Sequence, residues 1–108
     1  MVMTCAQQGD ILWLEQEEQY VLVLSRAFFN QSGMSVVCPL RDNAKPDALH
    51  IGIFSDAYNG TALLEHPRSL DLQARHCRKI SSISYEQVQD ISDAVQGIFD
   101  YYPYSTYT

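Results

Sequence analysis

Glu65, His66 and Arg68 set a carboxylate, an imidazole and a guanidinium within four residues. Together such groups can take a proton, return it and hold an anion that forms between. Adjacency does not bring them together. In an extended strand Glu65 and Pro67 face one way and His66 and Arg68 the other, so a bend must gather them. Pro67 lacks an N–H and favours a bend or a sheet edge there. A purely structural reading stands beside the chemical one: Arg68 pairs with Asp71 or Glu65 to fix the bend, and His66 is a polar surface residue.

The elements that would position these groups are mostly strands. Ala62, Leu63 and Leu64 read as a buried strand running directly into Glu65, and residues 71–75 as one helical turn capped by Asp71. Residues 76–80 are extended again. Earlier in the chain, residues 10–14 and 20–25 predict a hairpin around the polar run 15–19. Ile11 and Trp13 lie on one face and Leu12 and Leu14 on the other, so both faces need cover. Residues 26–30 suggest a helical turn, 34–40 a third strand ended by Pro39, and 41–46 a charged loop. Residues 48–54 form a further strand carrying His50, which reads as a half-buried sheet residue rather than a ligand, and Asn59-Gly60 reads as a turn. Five or six short strands with tight turns predict a mainly β fold, a small antiparallel barrel.

One helix follows. Ser84 and Gln87 fit a capping box, and Val88, Ile91, Val95 and Ile98, with Ala94 and Phe99 beside them, make an apolar stripe. The stripe suits a lid on the sheet or a dimer seam. Pro103 ends the helix, and residues 101–108 are a tyrosine-rich tail, either a loose terminus or a segment that docks on a groove or sheet edge.

The whole chain has 108 residues, 46% of them hydrophobic and 19% charged. That fits one domain over residues 1–100 followed by the tail, with a core small enough that pairing with a second copy would help. No apolar run approaches a membrane span and residues 1–8 lack the features of a secretory signal, so a cytoplasmic location is expected. The three cysteines, Cys5, Cys38 and Cys77, fit neither a disulfide framework nor a zinc motif. His76-Cys77 has no second ligand pair, so no cofactor or metal is expected. A net charge of −6 opposes nucleic-acid binding in general. Between residues 64 and 81, however, Arg68, Arg75, Arg78 and Lys79 outnumber Glu65 and Asp71, which allows a basic face on an acidic protein.

Several segments, in order, resemble the MazF/PemK toxins. LLEHPRSLDLQAR is similar to the family segment in which a strand ends in an acidic residue, then Gln-Pro or a similar pair, then Arg-Thr/Ser-Ile/Leu-Asp and a downstream Ala-Arg. Gly9-Asp10-Ile11-Leu12-Trp13, the strand from Tyr20 to Ser25, Phe29-Asn30, Gly33 and Val37-Cys38-Pro39 match its opening strands and Cys-Pro turn. The likeness spans roughly residues 8–100. It implies an SH3-like barrel of the CcdB/MazF type with a C-terminal helix, a homodimer, a cognate antitoxin peptide, and metal-independent cleavage of single-stranded RNA.

By that resemblance Glu65 is the proton acceptor or orienter, and Arg68 matches a frequent family arginine. His66 would serve as acid or base. Two departures weigh against activity. The family's first-hairpin loop is longer and ends in a catalytic Arg-Pro, where this chain has Gln19-Tyr20. The Thr or Ser that follows the family's Cys-Pro turn is replaced by Leu40-Arg41-Asp42, from which Arg41 is the candidate replacement cation. The acidic loop of Glu15, Glu17 and Glu18 is expected to repel RNA. The alternative is a catalytically degenerate or CcdB-like protein-binding module, a topoisomerase poison or partner binder.

Overall fold

The structure, a computed structural model, describes residues 6–42, 45 and 47–99. The tail 101–108, Pro103 and Cys5 lie outside the described residues. Asp10–Leu14 (β1) and Gln19–Val23 (β2) pair as the expected hairpin, with Ile11 opposite Leu22 and Trp13 opposite Tyr20. Its turn carries Glu18 in the left-handed region at φ 51°. After the short helix Ala27–Asn30 (α1), the chain enters Met34–Arg41 (β3), which lies antiparallel to β2 with Leu22 opposite Cys38.

The sheet turns on β3. His50–Phe54 (β4) pairs with Asn59–Leu63 (β5), and β5 joins β3 at Leu40 and Arg41. Arg68–Asp71 (β6) joins β3 further back, from Met34 to Val37. Cys77–Ser82 (β7) closes the far side against β1. The seven strands form one curled antiparallel sheet in the order β4-β5-β3-β2-β1-β7, with β6 on β3. Strands β5 and β6 thus share the edge of β3 that faces away from β2, and Cys38 and Pro39 fall in the gap between them. A residue with no N–H is tolerated there because no ladder partner requires it.

The alternation in β1 to β3 fills both faces, as the hairpin's pattern required. Ile11, Leu22, Cys38, Leu40, Ile53, Ala62 and Leu64 form one buried cluster. Leu12, Leu14, Val21, Val23, Val37 and Leu70 form the other on the opposite face. Tyr85–Phe99 (α2) covers the first with Ile91, Val88, Ala94 and Val95, a lid on the sheet. Ile98 and Phe99, at the end of the same stripe, are 40% and 72% exposed. Asn30 is buried and donates its amide to the carbonyls of Ala6 and Ser25 at 2.6 and 3.0 Å, which anchors the start of the described chain to α1.

Several local expectations need correcting. Residues 68–71, for which the sequence predicts no strand, form β6, because β3 offers them a free edge. Residues 71–75 are a turn rather than a helix: Asp71 Oδ1 accepts the amides of Gln73 and Ala74 at 3.0 and 3.2 Å, a local bond that stands in for helical ones. Strand β4 starts at His50, not at residue 48. Asn59-Gly60 lies inside β5, and the turn before it is built by Ser55, whose hydroxyl donates to the Tyr58 carbonyl at 2.8 Å. Pro39 lies within β3 rather than ending it.

Ser84 caps α2, its hydroxyl accepting the Gln87 amide at 3.2 Å. The Gln87 side chain leaves the capping box and bonds both the N–H and the carbonyl of Phe54, at 3.0 and 2.9 Å, capping the last residue of β4.

Gly9 has φ 92°, and a Cβ there would come within 2.7 Å of the Val88 side chain. Its size sets how closely α2 approaches the first strand. Gly9→Ala is therefore expected to lower stability by about 2 kcal/mol, from left-handed strain plus displacement of the helix. Urea unfolding measures it, and an unchanged midpoint would contradict this packing.

Candidate functional site

Strand β5 ends at Leu63 and the chain must cross the Cys38–Pro39 gap to reach β6. It does so in four residues. Leu64 is buried and its amide bonds the Leu49 carbonyl at 2.9 Å. The His66 amide returns to the Leu63 carbonyl at 3.2 Å, which makes the bend, and Pro67 follows it. Under this arch lies a concavity of about 370 Å³ whose walls include Gln19, Arg41, Glu65, His66 and Arg68, over a floor of Val21, Val37 and Pro39. All four residues singled out from the sequence line this one pocket.

Glu65 is not alone there. His50 Nε2 lies 2.5 Å from Glu65 Oε2, and His50 Nδ1 lies 2.8 Å from the Lys45 carbonyl oxygen and 3.4 Å from an Asp47 carboxylate oxygen. With an acceptor at each ring nitrogen, the imidazolium is favoured. The hydrogen bond from Glu65, followed by the Lys45 carbonyl, holds the His50 pKa above its ordinary 6.5. The same bond from His50 is the main cause that holds Glu65 below its ordinary 4.5. Glu65 is thus an oriented, ionised carboxylate, and His50 is its partner rather than a plain sheet residue. The register explains it: His50 pairs with Leu63, two residues before Glu65.

Arg68 pairs with neither Asp71 nor Glu65. Its guanidinium meets Glu17 of the first hairpin loop, Nη2 to Oε1 at 3.3 Å and Nη1 to Oε2 at 3.5 Å. Arg75 reaches the same carboxylate, Nη1 to Oε1 at 2.7 Å. The acidic loop is therefore neutralised locally at Glu17 rather than simply repelling anions. Gln19, at the position of the missing arginine, turns its amide to the backbone, donating to the carbonyls of Tyr20 and Leu40 at 2.7 and 3.0 Å.

The remaining candidates lie elsewhere. His76 and Cys77 flank a shallow depression with Glu15 and Gln16, away from the arch. Among the described residues no group of three His, Cys, Asp or Glu gathers as a metal site would. Cys38 is buried, and burial, with Glu65 nearby, pushes its thiol up to about 12, an inert group.

Residues 7–99 match the family model described as PemK-like, MazF-like toxin of type II toxin-antitoxin system. The chain belongs to this family. Solved structures agree on the fold. A chain of the MazE-MazF complex (Form-I) from Deinococcus radiodurans superposes with a TM-score of 0.78 at 22% identity, covering 88% of this chain and 96% of that one. An endoribonuclease from Mycobacterial species gives 0.78 at 13% identity, covering 94% and 98%. Mycobacterium tuberculosis toxin MazF-mt6 gives 0.68 at 13% identity, covering 86% and 99%. No curated protein sequence matches the chain. Within this PemK/MazF-like chain, the pocket under the arch takes its cations from Arg41 and Arg68, while position 19 contributes an amide bound to backbone.

The His50–Glu65 contact makes stability depend on pH with a definite sign. His50's contribution is complete below its ordinary 6.5 and fades as pH rises through its raised value. Glu65's is complete above its ordinary 4.5 and fades as pH falls through its lowered value. The difference in melting temperature between the protein and His50→Gln is expected to be greatest between pH 4.5 and 6.5, narrowing toward acid and alkali. A thermal-melt series in pH checks this, and a difference that fails to narrow on either side of that range would remove the ion pair.

Proposed function

We propose that this family member is the toxin of a two-component pair and that its pocket under the arch cleaves single-stranded RNA without a metal ion. The observation that carries the reading is the convergence of Glu65, His66, Arg41 and Arg68 on one concave surface. In this mechanism Glu65, kept ionised by His50, takes the proton of a ribose 2′-hydroxyl. The freed oxygen attacks the adjacent phosphorus, forming a cyclic phosphate and breaking the bond to the 5′-oxygen. His66 returns a proton to that leaving oxygen. Arg41 and Arg68 hold the charge that builds on the phosphoryl oxygens, the role left open by Gln19. His50 is a positioning residue that the sequence pattern did not disclose.

The partners follow from the same surface. An antitoxin segment would block the enzyme by filling the pocket, and its acidic side chains would meet Arg41 and Arg68. The exposed Ile98 and Phe99 extend the apolar stripe of α2 beyond this chain and support pairing with a second copy. A cytoplasmic site of action fits an RNA target.

A second reading rests on Gln19 and Glu17. The family arginine is absent, and Arg68 is engaged by a carboxylate, so the same pocket suits a protein-binding module without nuclease activity, including a topoisomerase poison.

Incubating the purified chain with single-stranded RNA in chelator decides between them. The nuclease reading expects fragments ending in a cyclic phosphate, with Glu65→Gln and Arg41→Gln each slowing cleavage by about a hundredfold. RNA left intact at high enzyme contradicts it and favours the binding module.

A further inference from the structure

We propose that Arg68 and Arg75 form a second phosphate-binding site beside the pocket. In the free protein Glu17 occupies it, and in the complex it takes the phosphodiester next to the one cleaved, Arg68 spanning the two phosphates and Arg75 serving only the second. The proposal rests on the RNA-binding reading above. Three separate parts of the fold build this site: Glu17 comes from the β1–β2 loop, Arg68 from β6 and Arg75 from the turn that follows β6. Two guanidiniums on one carboxylate leave a surplus positive charge on a protein whose net charge is −6.

The chemistry fits a phosphodiester. Its two non-bridging oxygens present to a guanidinium fork much as the two carboxylate oxygens do, and Glu17 uses both oxygens toward Arg68. Arg68 also lines the pocket, so an anion at this site is continuous with a strand lying in it. The Arg68 side chain is 50% exposed, and ion pairs so open to water contribute little net stability. Toward Arg68, from which its oxygens lie 3.3 and 3.5 Å, Glu17 is therefore a weak occupant; its bond to Arg75, at 2.7 Å, is the part that a phosphate must displace. A polyanion releases its counterions on binding and can displace it. The loop acid acts as a competitor for the phosphate, which sets a threshold on RNA affinity.

Anisotropy titrations with a mixed-sequence single-stranded 2′-O-methyl RNA, which offers no nucleophile and cannot be cut, test this over a salt series. Glu17→Gln is expected to tighten binding about fivefold, since it removes the competing charge. Arg75→Gln is expected to weaken binding and to reduce the slope of log affinity against log salt by about 0.7, the loss of one phosphate contact. Melting curves of both variants accompany the titrations. Binding by Glu17→Gln that is no tighter, or an Arg75→Gln slope that is unchanged, overturns the proposal. So does a Glu17→Gln protein that loses stability and affinity together, which would make Glu17 a structural clasp. Cleavage of ordinary RNA is scored separately: these binding changes without cleavage leave the site standing and remove the nuclease reading, and cleavage without them does the reverse.

Discussion

The partner exchange along β3 is the constraint on which the rest depends. One strand serves β6 with its first half and β5 with its end, and the residues between, Cys38 and Pro39, have no ladder on that edge. The chain leaving β5 has four residues to bridge the gap. Glu65 and His66 must therefore stand over it, flanked by Arg68, whose partner Val37 borders the gap, and by Arg41, one residue beyond Leu40 on the other side. The pocket is a consequence of sheet geometry before it is a consequence of chemistry.

Charge on the bridge is then fixed by distant parts of the chain. His50, in the neighbouring strand, fastens the Glu65 carboxylate, and Glu17, across the molecule in the first hairpin, fastens Arg68 and Arg75. An acidic protein thereby keeps an anion-seeking surface in which Arg68 and Arg75 are paired. Of these groups Arg68 is the most open to solvent, so its contact is the one most readily exchanged for a contact to a ligand.

Much of this was legible in the sequence where one period governed a segment. The alternation in β1 and β2 disclosed a sheet buried on both faces, the stripe on α2 disclosed a helix face that must be covered by the sheet or a second copy, and Pro67 disclosed the bend. Strand β6 was hidden because its four residues carry a single buried side chain, Leu70, too few to show a period. Gln87 was assigned to its own helix end because local spacing cannot report that a sheet edge lies within reach. The partners of Glu65 and Arg68 were missed for the same reason. Fifteen residues separate His50 from Glu65 and fifty-one separate Glu17 from Arg68, and only the strand register brings them together. Glycines and turns were misplaced where side chains decide the matter: at Gly60 the Tyr58 ring lies over the backbone and requires a residue without a Cβ.

In the proposed reading, the concave face under the arch is where this toxin-family chain meets a nucleic-acid strand. Mapping backbone amide resonances during titration with uncleavable single-stranded RNA addresses it most directly. Shifts are expected to concentrate at Gln19, Val37, Arg41, Glu65, His66 and Arg68. Shifts gathered on the outer surface of α2, with these amides unmoved, would contradict it.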